Sequence, residues 1–518
     1  MTAAMATMLI LIVAVVAFIS GRIPTGIVAI GVAIALWATG ILTLDQAFAG
    51  FADPAVVLIA SLFVVAEGLD ASGVTAWAGR ILVERGKGNQ RLLTVLVIVV
   101  VAVLSALISV NGAVAALLPV VVVVSSRAKI VPARLLVPLA FGAHSGALMT
   151  LTGSPVNVLL SEYKYDETGT PFGFFEFSLV GIPLFIGSII LAFLFANKLI
   201  PQRTPDVFTR DLSDQLRVLQ REYLTSDQLA VDANNGLAEV VLAPRSGLEG
   251  STAFPGMVTE SGDLVIAAIR RGDDQLEGKV KLQAGDILLL EGRWDDLDAN
   301  LNDPDVVVVD QPDAIRRQAA PLGWRAWTAI AILVGMVALL ATGALPPAVT
   351  GLLAASAMVI TNVVTVKRAH RSIVWTTLLL VAGMIPMSTA ITQTGAAAAI
   401  AQVVVNLVGR FGPIAALLAL GIVAIIFGQL ISNTATALII APIAVSVAES
   451  MQVSVVPFLM STVVVCAAAF LTPVATPANL MIMGPAGLKF GDYWKYGLPH
   501  VILYLAIGVL YVPLIWHF

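Results

Sequence analysis

Several long stretches of this chain are apolar around the whole circumference of a helix, and they restrict its possible folds severely. Met8–Phe18, Leu92–Ile108 and Ile414–Ile426 have no polar face that could meet water. Helices of this kind belong in a lipid bilayer or deep in a bundle. Charged residues make up 12% of the 518 residues, about half of the share usual in a soluble protein. We therefore expect an all-α polytopic membrane protein.

The apolar segments form two groups of six, and a polar region separates the groups. Residues from Pro201 to about Gln318 have the charge density of a soluble protein. We expect a first transmembrane repeat over 1–200, an insert over 201–318 and a second transmembrane repeat over 319–518. The apolar segments lie near residues 5–20, 23–42, 54–69, 92–124, 133–161 and 177–197, and then near 324–342, 347–364, 373–391, 412–447, 455–487 and 495–516.

Some classes of protein are excluded at this point. Cys466 is the one cysteine, so the chain has neither a disulfide framework nor a cysteine-rich metal site. Met1–Ser20 lacks a basic region and a convincing cleavage site, and we expect a retained first span rather than a signal peptide. The sequence contains no HExxH, GxSxG or P-loop pattern, so we expect neither an enzyme nor an ATP-driven pump.

The two groups of segments share landmarks at a nearly constant offset in the numbering. That offset is 322 or 323 for the pairs Gly73 and Gly395, Ser109 and Ser432, Pro119 and Pro442, and Pro155 and Pro477. Phe175–Pro183 resembles Phe490–Pro499 at an offset of 316 counted between the prolines, a change that loop length can absorb. Internal repeats of this kind are typical of secondary transporters.

The distribution of basic residues predicts sidedness. If the fourth segment of each half is a re-entrant hairpin, each half crosses five times and the two repeats are inverted. With the insert in the cytoplasm, cytoplasmic connections carry 18 Lys and Arg, and external connections carry two, Lys164 and Arg410. This bias predicts a cell-membrane protein with both termini outside and a cytoplasmic insert. If each hairpin segment instead crossed the membrane twice, each half would still cross an odd number of times, and the charge count would be the same. Re-entrance is therefore inferred from the polar tips Ser109–Gly112 and Ser432–Thr436.

Each half has two polar interruptions at membrane depth. One is the hairpin tip, and the other is a Ser/Thr-Pro-x-Asn break, at Ser154–Asn157 and at Thr476–Asn479. Proline disfavours helix at the preceding residue, and freed backbone groups are tolerated in a membrane where they line a cavity or bind something. Half-helix N-termini favour anions, and unwound carbonyls with hydroxyl and amide oxygens suit sodium. The four interruptions together predict one central anion site flanked by two cation sites.

These motifs resemble those of the divalent anion/sodium symporter family, the solute carrier 13 type within the ion transporter superfamily. The resemblance covers both membrane halves and is clearest at Ser432-Asn433-Thr434 and Pro473–Asn479. It implies a homodimer in the lipid bilayer that carries sulfate, dicarboxylates or citrate with co-transported sodium by an elevator motion. Neither an organic cofactor in the membrane domain nor a nucleic-acid partner is expected.

The resemblance also implies which residues hold the ions. The first sodium ion would lie at Ser105, Ser109, Asn111 and Gly153, and the second at Gly428, Ser432, Asn433 and Ala475. The anion would contact Ser109, Asn111, Ser154, Pro155, Asn433, Thr434, Thr476 and Pro477. The first tip departs from the family motif, because Val110 stands at the asparagine position and Asn111 stands one position along. We expect the second half to supply the tighter cation site.

The insert has a different kind of sequence. Its alternating apolar runs predict strands and a small, mainly β (α+β) domain with a core near 235–300; they are Glu239–Leu242, Leu264–Ile269 and Ile287–Leu290. Ser246–Thr252 and Leu282–Gly292 resemble the C-terminal ligand-binding domain of potassium-transport regulators, the TrkA-C or RCK-C type. This resemblance implies a sensor for a small molecule or nucleotide, or a dimerisation module. A structural spacer without a ligand is the alternative.

Other functions remain open as alternatives. A sodium/proton antiporter usually places Asp or Glu within the bundle, whereas no carboxylate of this sequence lies mid-span. An arsenite-type permease of the same superfamily is a second alternative. A potassium channel or uptake subunit gated by the insert would need a filter such as TVGYG, which does not occur. A sensor that has lost transport is a further alternative, and we interpret His144 as a packing histidine rather than a proton relay.

Overall fold

The computed structural model describes most of the chain. The described residues are 2–20, 22–75, 77–78, 90–128, 130–201, 235–244, 246–259, 261–272, 274–276, 278–293, 296–297, 306–308, 323–473 and 475–518. They belong to two compact units. One lies within Met1–Leu69, Ala78–Phe208 and Ala329–Phe518, and the other lies within Asp70–Trp77 and Thr209–Thr328.

The part of the chain before residue 201 is helical wherever it has regular structure. Its described helices are α1 Ala3–Ser20, α2 Thr25–Ala38, α3 Leu44–Phe48, α4 Pro54–Ala71, α5 Gln90–Leu107, α6 Val110–Arg127, α7 Ala133–Ala147, α8 Pro155–Thr168 and α9 Ser178–Leu199. Short 3-10 turns cover Ala49–Ala52 and Leu151–Gly153.

The part after residue 322 is helical as well. Its described helices are α10 Trp324–Thr342, α11 Pro347–Ile360, α12 Val366–Ser372, α13 Trp375–Gln393, α14 Ala396–Val408, α15 Pro413–Gly428, α16 Asn433–Ser450, α17 Val455–Cys466, α18 Pro477–Met483, α19 Tyr493–Ala506 and α20 Val512–Ile515. A π turn at Ile507–Tyr511 joins α19 to α20, and 3-10 turns cover Gly409–Phe411 and Phe490–Asp492.

Among the described residues, eight helical segments are long and apolar enough to cross a membrane. They differ in the share of their residues that is buried, which is 28% for α1 and 72% for α16. Ile12, Val13 and Val16 of α1 are exposed, as side chains that meet lipid would be. The multi-pass membrane protein that composition predicts therefore agrees with the structure, and α16 lies near its centre.

The helices of the two halves begin at corresponding positions. The helices α5 to α8 begin 322 or 323 residues before α15 to α18, which is the offset of the landmark pairs. The helices α1, α2 and α4 begin 321 or 322 residues before α10, α11 and α13. The landmark glycines Gly73 and Gly395 both have positive φ, at 83° and 73°, a conformation that glycine adopts without strain.

Another landmark pair, Gly181 and Gly497, packs in the same way in the two halves. A Cβ on Gly181 would lie 2.3 Å from the carbonyl oxygen of Leu148, and one on Gly497 would lie 2.2 Å from that of Phe470. Leu148 and Phe470 themselves occupy corresponding positions of the two repeats. Both contacts bring a helix against the loop of a break, at a distance that no other residue type allows.

The structure corrects the expected hairpin tips. The first interruption consists of Ile108 and Ser109, and the second runs from Gln429 to Ser432. Most of the polar residues assigned to the tips therefore lie in the first turns of α6 and α16. The physical reason is that the serine caps the following helix, so the helix begins directly after it.

One apolar helix of the second half, α14, lies outside the six apolar segments that the sequence predicts. The helix α14, Ala396–Val408, lies between segments that the sequence placed at 373–391 and 412–447. It has 13 residues, whereas a helix needs about 20 to span the hydrocarbon core. It is therefore too short to stand out in the sequence as a span of its own.

The second unit contains strands. They are β1 Asn235–Leu242, β2 Thr252–Ala253, β3 Leu264–Arg271, β4 Asp274–Leu276, β5 Val280–Lys281, β6 Ile287–Arg293 and β7 Val306–Val308. Antiparallel pairing gives one sheet of order β4-β3-β6-β1-β7 and a second of β2 and β5. The three alternating runs of the sequence lie in β1, β3 and β6. Their buried side chains, such as Val240, Ile266 and Leu289, form the core.

Candidate substrate site

The first hairpin tip turns at Ser109, between α5 and α6. The Ser109 hydroxyl accepts a hydrogen bond from the backbone N–H of Gly112 at 3.2 Å, as an N-cap does. Asn111 is exposed in the first turn of α6. Ser105, in the last turn of α5, is fully buried, and its Oγ is a buried atom without a hydrogen-bond partner. This hydroxyl is therefore available to a ligand near the tip.

The second tip is capped in the same way and buries more polar groups. The Ser432 hydroxyl accepts from the backbone N–H of Ala435 at 3.3 Å. Asn433 is the first residue of α16, and its Oδ1 is buried without a partner. Thr434 is 9% exposed. An unpaired buried amide oxygen costs free energy unless something binds it, and Asn433 Oδ1 is therefore a candidate ligand atom.

The first break separates α7 from α8. Ser154 caps α8 through a hydrogen bond from the N–H of Val156 to its hydroxyl, at 3.2 Å. Asn157 is fully buried, and its Nδ2 donates to the carbonyl oxygens of Ala147 at 2.9 Å and Thr150 at 2.8 Å. The amide group thus satisfies the carbonyl of Ala147, at the end of α7, and gives the carbonyl of Thr150 a second donor beside the Gly153 N–H.

The second break has the same construction. Thr476 caps α18 by accepting from the N–H of Asn479 at 3.3 Å. Asn479 Nδ2 donates to the carbonyl oxygens of Ala469 at 2.8 Å and Thr472 at 3.3 Å. Each of these acceptors corresponds in the repeat to an acceptor of the first break. Asn157 and Asn479 also share a buried Oδ1 without a partner.

A threonine of each break holds the adjacent tip. The Thr150 hydroxyl donates to the carbonyl oxygen of Ala106, and the Thr472 hydroxyl donates to that of Gln429 at 3.1 Å. The two acceptors occupy corresponding positions at the end of α5 and directly after α15. Each tip is therefore fixed to the break of its own half.

The second half adds a link that the first half lacks. The Gln429 side chain donates through Nε2 to the carbonyl oxygen of Ala468 at 3.0 Å and accepts through Oε1 from the N–H of Leu471 at 2.8 Å. The corresponding residue of the first half is Ala106, whose methyl group can make neither bond. The second tip is therefore more firmly connected to its break.

The four half-helices also meet across the two halves. The helix α6 after the first tip contacts α18 after the second break, and α16 after the second tip contacts α8 after the first break. Each of these helices begins with a Ser or Thr whose hydroxyl accepts a backbone N–H. The capped ends thus belong to one connected group of helices.

The residues that the family resemblance assigned to the anion and cations lie on these tips and breaks or in the adjoining helix ends. Gly153 needs to be glycine, because a Cβ there would lie 2.3 Å from the carbonyl oxygen of Ala147. Gly428 is less constrained, since a Cβ would lie 3.9 Å from the carbonyl oxygen of Cys466. Ala475 is buried, and Pro155 and Pro477 are the first residues of α8 and α18. Pro477 is exposed.

The donor set fits a monovalent hard cation. It consists of hydroxyl, amide and carbonyl oxygens, and two of the assigned side-chain atoms, Ser105 Oγ and Asn433 Oδ1, are buried without a partner. Within the described ranges, no three His, Cys, Asp or Glu side chains are grouped as a metal site would require. Thiolate and imidazole ligands select transition metals, and oxygen ligands without them suit sodium.

Sequence reasoning missed contacts that join distant residues. Asn157 and Asn479 were recognised as parts of the break motif, but the carbonyls they bind were not foreseen. Gln429 was not singled out. His144 was interpreted as a packing residue, yet its Nε2 lies 3.5 Å from the Thr476 hydroxyl oxygen, which belongs to the other half of the chain. The sequence feature that indicates a shared role for the two asparagines is their repetition at the common offset of 322.

Comparison with known proteins gives a family match over most of the chain. The family model described as citrate transporter matches residues 15–465 and 417–518. An uncharacterized transporter of Escherichia coli strain K12, YfbS, is 30% identical, with 98% of each chain covered. An uncharacterized transporter of Synechocystis, sll0640, is 25% identical over 98% of this chain and 97% of the relative. Sodium/sulfate cotransporter 1 of Chlamydomonas reinhardtii is 24% identical over 53% of this chain and 32% of its own.

Proposed function

The chain belongs to the citrate transporter family and is a multi-pass membrane transporter rather than an enzyme, and we propose that it couples sodium entry to the uptake of a small multivalent anion. The substrate class is sulfate or a di- or tricarboxylate. The relatives support both parts of this class, since the family is described by citrate and several relatives are named sodium/sulfate cotransporters.

One observation carries the proposal: four half-helices with capped N-termini meet crosswise, α6 with α18 and α8 with α16. The positive end of a helix dipole and its free N–H groups attract an anion. The hydroxyls of Ser154 and Thr476 and the amide of Asn433 add donors. The assigned residues include neither Lys nor Arg, so these dipoles provide the binding.

Sodium would occupy two positions, one in each half. Ser105, Ser109, Asn111 and Gly153 would hold the first ion, and Gly428, Ser432, Asn433 and Ala475 would hold the second. The buried, unpaired Ser105 Oγ and Asn433 Oδ1 support this assignment. A cation at either position would neutralise part of the anion's charge, and this would make anion binding depend on sodium.

The wider organisation is proposed on the same basis. The two halves are inverted repeats, each with five spans and one re-entrant hairpin, and the hairpins move the site across the bilayer as an elevator within a homodimer. The insert is cytoplasmic and both termini are external, as the positive-inside bias suggests. The insert is a regulatory domain of the TrkA-C type that responds to a small molecule or nucleotide.

Equilibrium binding tests the proposal before transport is measured. The purified chain in lipid nanodiscs should bind radiolabelled sulfate, citrate or succinate in sodium chloride and bind it at least tenfold more weakly in choline chloride. A chain that binds all three equally well in both salts is not a sodium symporter. Asn406→Ala should bind like the unmodified chain, because Asn406 is exposed on α14 and belongs to neither a tip nor a break.

A further inference from the structure

His144 is buried at the end of α7 within an aromatic cluster. It is 3% exposed, and its ring meets the Phe470 ring edge to face, with the centroids 5.2 Å apart. Phe141, Tyr496 and His500 extend the cluster. A packing role alone would explain these ring contacts, but it would not explain the polar contact that His144 makes within the described part of the chain.

That polar contact is with the cap of the second break. His144 Nε2 lies 3.5 Å from the Thr476 hydroxyl oxygen, which also accepts the N–H of Asn479 at 3.3 Å. A threonine hydroxyl has one proton to donate and two lone pairs that accept. If the Thr476 proton pointed at His144, no donor would remain for an anion. If His144 donated instead, both lone pairs would be used and the Thr476 proton would be free.

We propose that His144 is a positioning residue of the anion site, which carries its proton on Nε2 and donates it to Thr476 so that the Thr476 hydroxyl donates to the bound anion. This inference rests on the proposed function. Hydrogen bonds in a chain polarise one another, and the imidazole therefore strengthens the donor that the anion meets. We expect the 3.5 Å separation to shorten when the anion binds, because such contacts often tighten in the complex.

Comparison of the two repeats shows that, among the residues that the structure describes, only the second break has a histidine beside its cap. The position that corresponds to His144 is Cys466, at the end of α17, and a thiol is a weak donor. The first break therefore lacks an imidazole at this position. Anion binding should consequently depend more on the second break than on the first.

His500 provides a matched control within the same cluster. Its ring lies 5.5 Å from that of Phe470, and its Nδ1 is 3.1 Å from the Tyr496 carbonyl oxygen, one turn earlier in α19. A carbonyl only accepts, so His500 carries its proton on Nδ1. The two buried histidines are thus expected to be opposite tautomers.

Solid-state NMR of the full chain, labelled with ¹⁵N-histidine in lipid, distinguishes the tautomers without any substrate. The chain has four histidines, and His144→Gln and His500→Gln assign the two buried ones. We expect a protonated Nε2 on His144 and a protonated Nδ1 on His500. An unprotonated Nε2 on His144 would overturn the proposal.

Binding of radiolabelled sulfate and citrate in sodium supplies the second readout. His144→Leu should weaken binding of the transported anion several-fold, because the Thr476 hydroxyl loses the donor that orients and polarises it. His144→Gln, whose amide can donate from a similar position, should restore part of it, and His500→Leu should stay within about twofold of the unmodified chain.

A double-mutant cycle separates positioning from packing. In a Thr476→Val background, His144→Leu should cause no further loss, because the hydroxyl it acts on is gone. An equal loss in both backgrounds would mean that His144 only packs, and the proposed function would stand. If the unmodified chain binds neither anion, the proposed function fails, while the NMR result still decides the tautomer.

Discussion

Asn479 makes in the second half the contacts that Asn157 makes at the corresponding position of the first. Each side-chain amide donates to two backbone carbonyls of the preceding loop, at Ala147 and Thr150 in one half and at Ala469 and Thr472 in the other. In a membrane these carbonyls have no water to bind. The asparagines therefore allow each long span to be interrupted.

Replacing either asparagine should destabilise the protein. Asn157→Ala or Asn479→Ala removes two hydrogen bonds to loop carbonyls, and a buried carbonyl left without a partner costs about 1–3 kcal/mol. In the first half the Thr150 carbonyl keeps a bond from the Gly153 N–H at 3.4 Å. Thermal unfolding in detergent should show similar decreases for the two variants, with weaker anion binding. The control is Asn406→Ala, since Asn406 is exposed and bonds Gln402 on the surface of α14. A variant that unfolds at the same temperature as the control would show that the hydrogen bonds of the asparagine side chain do not stabilise the protein.

The sequence predicts the interruptions well because they depend on local chemistry. Serine before a helix and proline at its first position are strong local signals, and Ser109, Ser154, Ser432 and Thr476 cap helices where the motifs predict breaks. The constant offset then joins the two halves. Composition alone predicts the apolar spans and the polar insert.

What the sequence did not predict depends on contacts between distant residues. Nothing in the local sequence distinguishes Gln429 from the other glutamines, because its two partners on the second break are known only from the structure. Its counterpart in the first half, Ala106, does not indicate a role for this position either. His144 meets Thr476 from the opposite half of the chain, which no local pattern reveals. Positions 202–234 and 309–318 of the expected insert lie outside the described residues, so its boundaries stay predictions.

The two tips should differ in how they tolerate loss of their asparagine. Asn433→Ala removes a buried oxygen that has no other partner, and it should reduce sodium and anion affinity roughly ten- to a hundredfold. Asn111→Ala should have a smaller effect, because Asn111 is exposed. Sodium-dependent binding of sulfate and citrate measures both variants.

A third variant completes that comparison. Val110→Asn restores the amide at the family position of the first tip and should strengthen sodium binding there. If Asn433→Ala binds like the unmodified chain while Asn111→Ala is inactive, the stronger cation site has been assigned to the wrong half.

Gln429 should control the rigidity of the second tip. Gln429→Leu removes the bonds to Ala468 and Leu471. The Leu471 N–H loses its partner, whereas the Ala468 carbonyl keeps the bond from the Phe470 N–H at 3.1 Å. We expect faster hydrogen exchange at Leu471, the N–H that loses its acceptor, and several-fold weaker sodium binding, with 148–154 unchanged. Gln402→Leu is the control, because the Gln402 side chain is exposed on α14. Unchanged exchange at Leu471 would show that the Gln429 side chain does not fix the tip.

The second unit should lose stability in acid through one ion pair. Arg271 binds the Asp286 carboxylate with two nitrogens, at 2.7 and 2.8 Å, and Gln283 N–H adds a third bond at 2.8 Å. The Arg271 hydrogen bonds lower the pKa of Asp286 below its usual value. A lowered pKa stabilises the folded unit above the usual carboxyl pKa, and this stabilisation is lost as pH falls through the lowered value.

Hydrogen exchange of β3 and β6 against pH, corrected for intrinsic rates, measures that dependence. The unmodified chain should lose protection below about pH 4, where aspartate ordinarily titrates. Asp286→Asn should be less protected at neutral pH and should show a flatter pH profile. An identical profile in the two proteins would show that this pair does not stabilise the sheet.

Removal of the insert should leave binding intact. Replacing Asp206–Gln311 by a flexible linker takes away none of the residues of the tips and breaks. A deletion protein that is well folded and has the oligomeric state of the full chain should therefore keep sodium-dependent binding of sulfate or citrate. Loss of binding in such a protein would mean that the insert is part of the substrate site.

Uptake into proteoliposomes tests sodium-coupled anion transport most directly. Vesicles that contain the purified chain are given radiolabelled sulfate, citrate or succinate under an inward sodium gradient, an inward proton gradient, or neither. We predict that the sodium gradient drives accumulation of at least one anion above its external concentration, that a protonophore does not abolish it, and that Asn433→Ala reduces it at least tenfold. Accumulation that proceeds without sodium and stops with the protonophore would contradict the account.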